Sequence, residues 1–179
     1  MQHFNSVPVV DYGITFAEVP DKCAVFLELG DCKRYCEGCH TPELCEPMTD
    51  EDCLTMADCV EIVESFIDEG ANAVVVLGGT DCHSFKLASL RCLLRTLSEY
   101  APVCLYSGSD DTKTMLDFAL DSSCTYVKVG SYQKHCGGLQ QPTTNQRFYE
   151  LEQQQIINFK ERNYSCRPMW VDKTEKFWG

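Results

Sequence analysis

No run of about 18 apolar residues occurs in the chain, so no segment of it reads as a membrane-spanning helix. The opening MQHFNSVPVVDYG has neither the basic nor the apolar region of a secretory signal, and a cytoplasmic protein is expected. Positive charge is also scarce: 15 Lys and Arg stand against 27 Asp and Glu, giving a formal net charge of -12. Clustered cations drive phosphate binding, so nucleic acid is not an expected partner. Internal repeats are lacking, as is any break in composition that would divide the 179 residues in two. The expectation is one domain over 1–179, long enough to bury most of its apolar surface without disulfide staples, with a C-terminal tail from about 152 whose structure the pattern leaves open.

What the chain does have is cysteine, 13 in all. The count is odd and no export signal accompanies it, so reduced thiols and a metal site fit better than a disulfide scaffold. Cys92, Cys104 and Cys124 lie singly in apolar runs and read as small buried hydrophobes. Cys32, Cys36 and Cys39 differ, because they stand in GDCKRYCEGCHTPELCE, residues 30–46, as C-x-x-x-C-x-x-C. Three thiolates so spaced can hold a four-iron cluster and leave one iron free for another ligand. Gly38 permits the tight reversal between the last two thiols. Three other readings of the loop stand beside this one. CEGC is a C-x-x-C redox motif, although Pro42 and Pro47 disfavour the helix such motifs open. Structural zinc on Cys32, Cys36, Cys39 and Cys45 is feasible, although a second C-x-x-C knuckle is missing. The last is that the cysteines only pack.

Along the chain, VPVVDYG is a candidate edge strand. CAVFLEL, residues 23–29, predicts a strand that delivers the cysteine loop from its C-terminal end, where ligands of parallel α/β sheets gather. Thr49 and Asp50 predict the cap of a helix running to about Glu69, with Gly70 as its stop and Leu54, Ala57, Val60, Val63 and Ile67 on one face. ANAVVVLGGT predicts a buried strand that opens into a turn at Gly78 and Gly79. A helix over 84–100 with Leu87, Leu90, Leu94 and Leu97 on one face, the strand PVCLYSG, a helix from about Asp111 to Leu120 and the strand CTYVKVG complete the alternation. The fold class is therefore α/β, built of parallel β-α-β units. After Ser131 the chain turns polar, and its tail with Trp170 and Trp178 suits a hairpin or a covering arm. His40, His83 and His135 read as loop or surface residues and Asp110 with Asp111 as a helix cap. Asn145 and Gln146 are divided between orienting a partner and packing the tail.

The cysteine pattern resembles the signature of radical S-adenosylmethionine enzymes. More narrowly, GDCKRYCEGCHTPEL is similar to the cluster loop of the activating proteins of anaerobic ribonucleoside-triphosphate reductases, and YVKVGSYQKHCGGLQQPTTNQRFYEL, residues 126–151, to the closing segment of that group. The resemblance spans roughly residues 10 to 151. It implies a partial (β/α) radical S-adenosylmethionine barrel and a 4Fe-4S cluster on Cys32, Cys36 and Cys39. It further implies an oxidoreductase that cleaves S-adenosylmethionine reductively and leaves a glycyl radical on the large reductase subunit. A low-potential donor such as flavodoxin is the implied electron source. The target could be another glycyl-radical enzyme of the formate-lyase type, but the NQRFY segment favours the reductase.

By position, the resemblance places Gly78, Gly79 and Thr80 near the amino group of S-adenosylmethionine. Ser107 and Gly108 fall near its ribose and carboxylate, and Lys128 and Val129, with Gly130, beside the adenosyl part. His40 directly follows the third cysteine and joins the candidate cofactor contacts, since Gly38 stands where many such enzymes carry an aromatic residue. Thr80 stands where an acidic residue is frequent, so either Thr80 or the adjacent Asp81 would meet the ammonium.

Overall fold

A computed structural model describes residues 6–39, 41–158 and 163–178. The chain runs β1 (Ser6–Val7), β2 (Val9–Thr15), β3 (Ala24–Leu29), β4 (Leu54–Thr55), α1 (Met56–Asp68), β5 (Ala73–Leu77), α2 (Leu87–Leu97), β6 (Val103–Tyr106), α3 (Thr112–Asp121), β7 (Tyr126–Val129), β8 (Arg147–Asn158) and β9 (Asn163–Asp172). Short 3-10 helices lie at Pro42–Cys45, Asp50–Asp52 and Thr174–Phe177. Among the described residues, seven strands form one mixed sheet in the order β2-β3-β5-β6-β7-β8-β9, and β1 pairs with β4 apart from it.

The middle of the sheet is parallel: β3, β5, β6 and β7 follow one another in space as in sequence. The three connections between these parallel neighbours step the same way and carry α1, α2 and α3, whose buried side chains share one core on a single face of the sheet, as the common handedness of β-α-β crossovers requires. Strand alternation then sorts the core. Val25, Leu27, Val74, Val76, Val103, Leu105, Val127 and Val129 face the helices, packing with Val63, Leu90, Leu94 and Leu97. Ala24, Phe26, Ala73, Val75, Leu77, Cys104, Tyr106, Tyr126 and Phe148 face the helix-free side, which Val19, Leu139 and Phe177 help to cover.

The three helices differ from expectation chiefly at their ends. Thr49 pairs with Asp52 around a 3-10 turn only, its backbone N–H donating to Asp52 Oδ2 at 3.0 Å. The helix proper starts at Met56, because Leu54 and Thr55 are held extended against Val7 and Ser6. Thr55 is the effective cap: its hydroxyl accepts from Asp58 N at 3.1 Å, and Asp58 Oδ2 accepts from Thr55 N at 2.8 Å. Gly70 stops the helix with φ 110°. On α1 the buried positions are Cys59 and Val63, while Ala57 is exposed. Leu87, at the start of α2, is also exposed, and Leu93 joins Leu90, Leu94 and Leu97 in the core. Cys92 faces solvent, contrary to its reading as a buried hydrophobe, because helical spacing puts it opposite Leu90 and Leu94. Cys104 and Cys124 are buried as expected.

VPVVDYG contributes the edge strand β2, antiparallel to β3. The tail is a hairpin: β8 pairs with β7 only from Arg147 to Glu150, and with β9 from Tyr149 to Asn158. No helix of the described residues is long and apolar enough to cross a membrane.

Candidate functional site

The parallel strands all point their C-terminal ends at the cysteine loop. Beyond Leu29, Gly30 N donates to Pro8 O at 2.8 Å, and Asp31 turns the chain with φ 56°. Lys33 N then donates to Asp81 O and His83 N to Asp31 O, each at 3.0 Å, which pins the start of the loop to the turn after β5. Cys32 N donates to Leu44 O at 2.8 Å, drawing the far end of the loop, with Cys45, back to its beginning. Between them Cys39 N donates to Cys36 O at 3.1 Å, a reversal that Gly38 allows with φ 74°. Pro42 opens only a 3-10 turn.

After β5 the backbone takes φ 94° at Gly78 and 86° at Gly79. A β-carbon on Gly79 would lie 2.8 Å from Leu29 Cδ1, so the turn needs glycine for space as well as for conformation. Gly78 N donates to Tyr106 O at 3.0 Å, and Ser107 N to Lys128 O at 2.8 Å, joining successive strand ends. Side chains continue the chain of contacts. Thr80 Oγ1 lies 2.9 Å from Ser107 Oγ and donates to Asp81 Oδ2 at 3.1 Å; the same Asp81 oxygen accepts from Arg34 Nε at 2.8 Å. Gly108 gives Arg34 its path, since a β-carbon there would stand 2.6 Å from Arg34 Cδ.

Lys128 ends the row. Alternation puts it on the helix-free face, where its Nζ donates to Gly130 O at 3.0 Å and lies 5.6 Å from the Tyr106 ring centroid. Burial pulls its pKa down to about 8. Val129 is turned the other way, into the core beneath the helices, so its backbone alone faces the strand end. Gln146 Nε2 also donates to Gly130 O, at 3.2 Å, and Asn145 Nδ2 to Ser131 O at 2.9 Å, so both residues brace the turn after β7.

Of the residues singled out in the sequence, Thr80, Ser107 and Lys128 are thus linked by hydrogen bonds through Asp81 to Arg34 of the cysteine loop, while Gly78, Gly79 and Gly108 leave room for the turns around them. His40 lies outside the described residues. His83 and His135 are exposed. Asp111 caps α3, while Asp110 accepts from Ser131 N at 2.8 Å and is held below the usual carboxylate range by that bond. Two members of the site went unnoticed in the pattern. Arg34 is the cation inside the cysteine loop. Glu28, on the helix-free face, accepts from Thr41 Oγ1 at 3.0 Å, and burial raises its carboxyl. A lone charge in the apolar run CAVFLEL was the available signal for Glu28, as it was for Lys128 in TYVKV.

Cys32, Cys36 and Cys39 are each partly exposed. Burial raises the Cys32 thiol; the Arg34 backbone N–H opposes this, and Cys45, Asp81 and Cys36 add negative charge nearby. Among the described residues no three Cys, His, Asp or Glu side chains stand as a ready metal-holding group. The donor set nevertheless suits a thiolate-ligated cluster: three soft ligands on one loop, partly exposed, with the ends of the loop anchored and no α-helix between them. By contrast Cys59 and Cys124 are pushed up to about 12 by burial and belong to the core.

Comparisons of the chain with protein-family models, curated proteins and solved structures match nothing.

Proposed function

We propose that the chain is a radical S-adenosylmethionine activating enzyme that generates a glycyl radical on the large subunit of anaerobic ribonucleoside-triphosphate reductase. The observation that carries this reading is the convergence of the cysteine loop, the Gly78-Gly79-Thr80 turn, Ser107-Gly108 and Lys128 at the ends of four successive parallel strands. Helices on one face only, with an apolar opposite face, suit the wall of a partial barrel. Cys32, Cys36 and Cys39 would hold a 4Fe-4S cluster. When bound and reduced, that cluster supplies the electron that splits S-adenosylmethionine into methionine and a 5'-deoxyadenosyl radical.

The protein's own residues bind, orient and exclude water. The Gly78-Gly79 turn lets a ligand approach the backbone closely. Asp81, already paired with Arg34, accepts from Thr80 Oγ1 at 3.1 Å, so in this reading Thr80 would meet the ammonium and Asp81 would hold Thr80 in place. The Phe26, Leu77 and Tyr106 side chains keep the helix-free face dry. A flavodoxin-like donor and the reductase subunit are the partners this reading requires.

The decisive experiment is anaerobic reconstitution with iron and sulfide, followed by a reductant and S-adenosylmethionine, with 5'-deoxyadenosine measured. Wild type is expected to form it. Cys32→Ala, Cys36→Ala and Cys39→Ala are expected to abolish it, and Cys45→Ala to retain it. One observation favours a second reading, a four-thiolate zinc module: the Leu44 contact brings Cys45 back towards Cys32. Colourless protein with one tightly bound zinc, lost in Cys45→Ala, would establish that reading instead.

A further inference from the structure

Cys82 is absent from the proposed cofactor contacts, yet it is the residue directly opposite Cys32. The two form an isolated antiparallel bridge. The hydrogen bonds flanking them, Lys33 N to Asp81 O and His83 N to Asp31 O, are those of a non-hydrogen-bonded pair, the register in which facing side chains come closest. Such pairs hold their α-carbons about 4.5 Å apart, inside the range of roughly 4.4–6.8 Å that a disulfide spans. Both strands of the bridge are anchored through Asp31, whose backbone oxygen takes His83 N and whose Oδ2 takes Ser84 N at 2.8 Å.

We infer that Cys82 is a redox partner of Cys32, closing a disulfide that withdraws Cys32 from metal ligation. Cys32 is partly exposed and Cys82 buried, so an external low-molecular-weight disulfide meets Cys32 first. The Cys32 thiolate attacks one sulfur of the oxidant, releasing one thiol and leaving a mixed disulfide. Cys82 then attacks the Cys32 sulfur and releases the second thiol. The two cysteine thiols are oxidised by two electrons, the oxidant is reduced to two thiols, and the two protons pass to those thiols. The surroundings of Cys82 suit the second attack: Phe85 N–H donates to its sulfur at 3.2 Å, and Asp31 Oδ2, at 3.9 Å, is within reach of its proton. The effect on cluster uptake rests on the function proposed above, since of its three cluster ligands only Cys36 and Cys39 would remain, with Cys45 outside that set. The disulfide itself does not depend on it.

The test uses the full chain without metal, incubated with glutathione disulfide, alkylated and mapped by mass spectrometry. A Cys32–Cys82 cross-linked peptide pair, lighter by two hydrogens than the reduced pair, is expected. Cys82→Ser is expected to stop at the mixed disulfide of Cys32 with glutathione. Cys32 joined to Cys36, Cys39 or Cys45, or Cys82 recovered fully alkylated, overturns the inference. The cross-linked protein is then offered iron and sulfide, before and after dithiothreitol. Loss of the visible absorption, restored by the reductant, is expected; uptake by the cross-linked form overturns the switch. If fully reduced protein takes up no cluster, the function proposed above fails, and the 32–82 peptide mass still decides the disulfide.

Discussion

A lysine amid an apolar strand is more easily buried neutral than charged, and the fold lowers Lys128 from 10.5 to about 8. Between those values the unfolded chain carries the extra proton, so this group makes the protein more stable as pH rises from about 8 to 10.5. Subtracting the urea stability of Lys128→Met from that of wild type across this range should show the slope, with a total on the order of 3 kcal/mol. A flat difference would place the ammonium in water. Gly79 sets a second test, because both its φ of 86° and the Leu29 side chain oppose a β-carbon. Gly79→Ala should cost about 1–3 kcal/mol in chemical denaturation. The double glycine was legible in the sequence as a turn. That Leu29 closes over it was not, since the contact joins two strands with no sequence signal linking them.

At the scale of elements, α2 is the member most fully committed to the core. Leu94 is completely buried against the sheet, and Leu94→Ala should lower stability by about 2–5 kcal/mol, read as a shift in the urea midpoint. Cys92→Ala on the exposed side of the same helix should leave the midpoint nearly unchanged. Strands β3, β5, β6 and β7 were readable from compact apolar runs ending in glycine, and the stripe of α2 from leucines at helical spacing. The start of α1 was misplaced because Thr49 and Asp50 form as good a local cap signal as Thr55 and Asp58. What decides between them is the pairing of β1 with β4, a contact across more than 40 residues that no local pattern displays.

For the molecule as a whole, the tail is a working part of the sheet. Trp170 Nε1 donates to Leu116 O at 3.2 Å, Thr174 Oγ1 accepts from Phe148 N at 2.9 Å, and Phe177 packs edge-on against Phe148 with ring centroids 5.0 Å apart. A chain truncated after Asp172 should therefore show a clearly lower thermal midpoint by circular dichroism, with the helix signal intact below it. An unchanged midpoint would mean the last turn is ornamental to β8. The tail could not be placed from sequence because its strands are polar and find their register on neighbours, β8 on β7 and β9 on β8, not through their own alternation. The in-order march of the parallel strands also sets a timetable. Cys32 leaves the ribosome about 100 residues ahead of Lys128, which at usual synthesis rates is roughly 5–20 s. For that interval Cys32, Cys36 and Cys39 stand without the last strand of the parallel wall, and Cys82, which faces Cys32 in the finished fold, arrives midway.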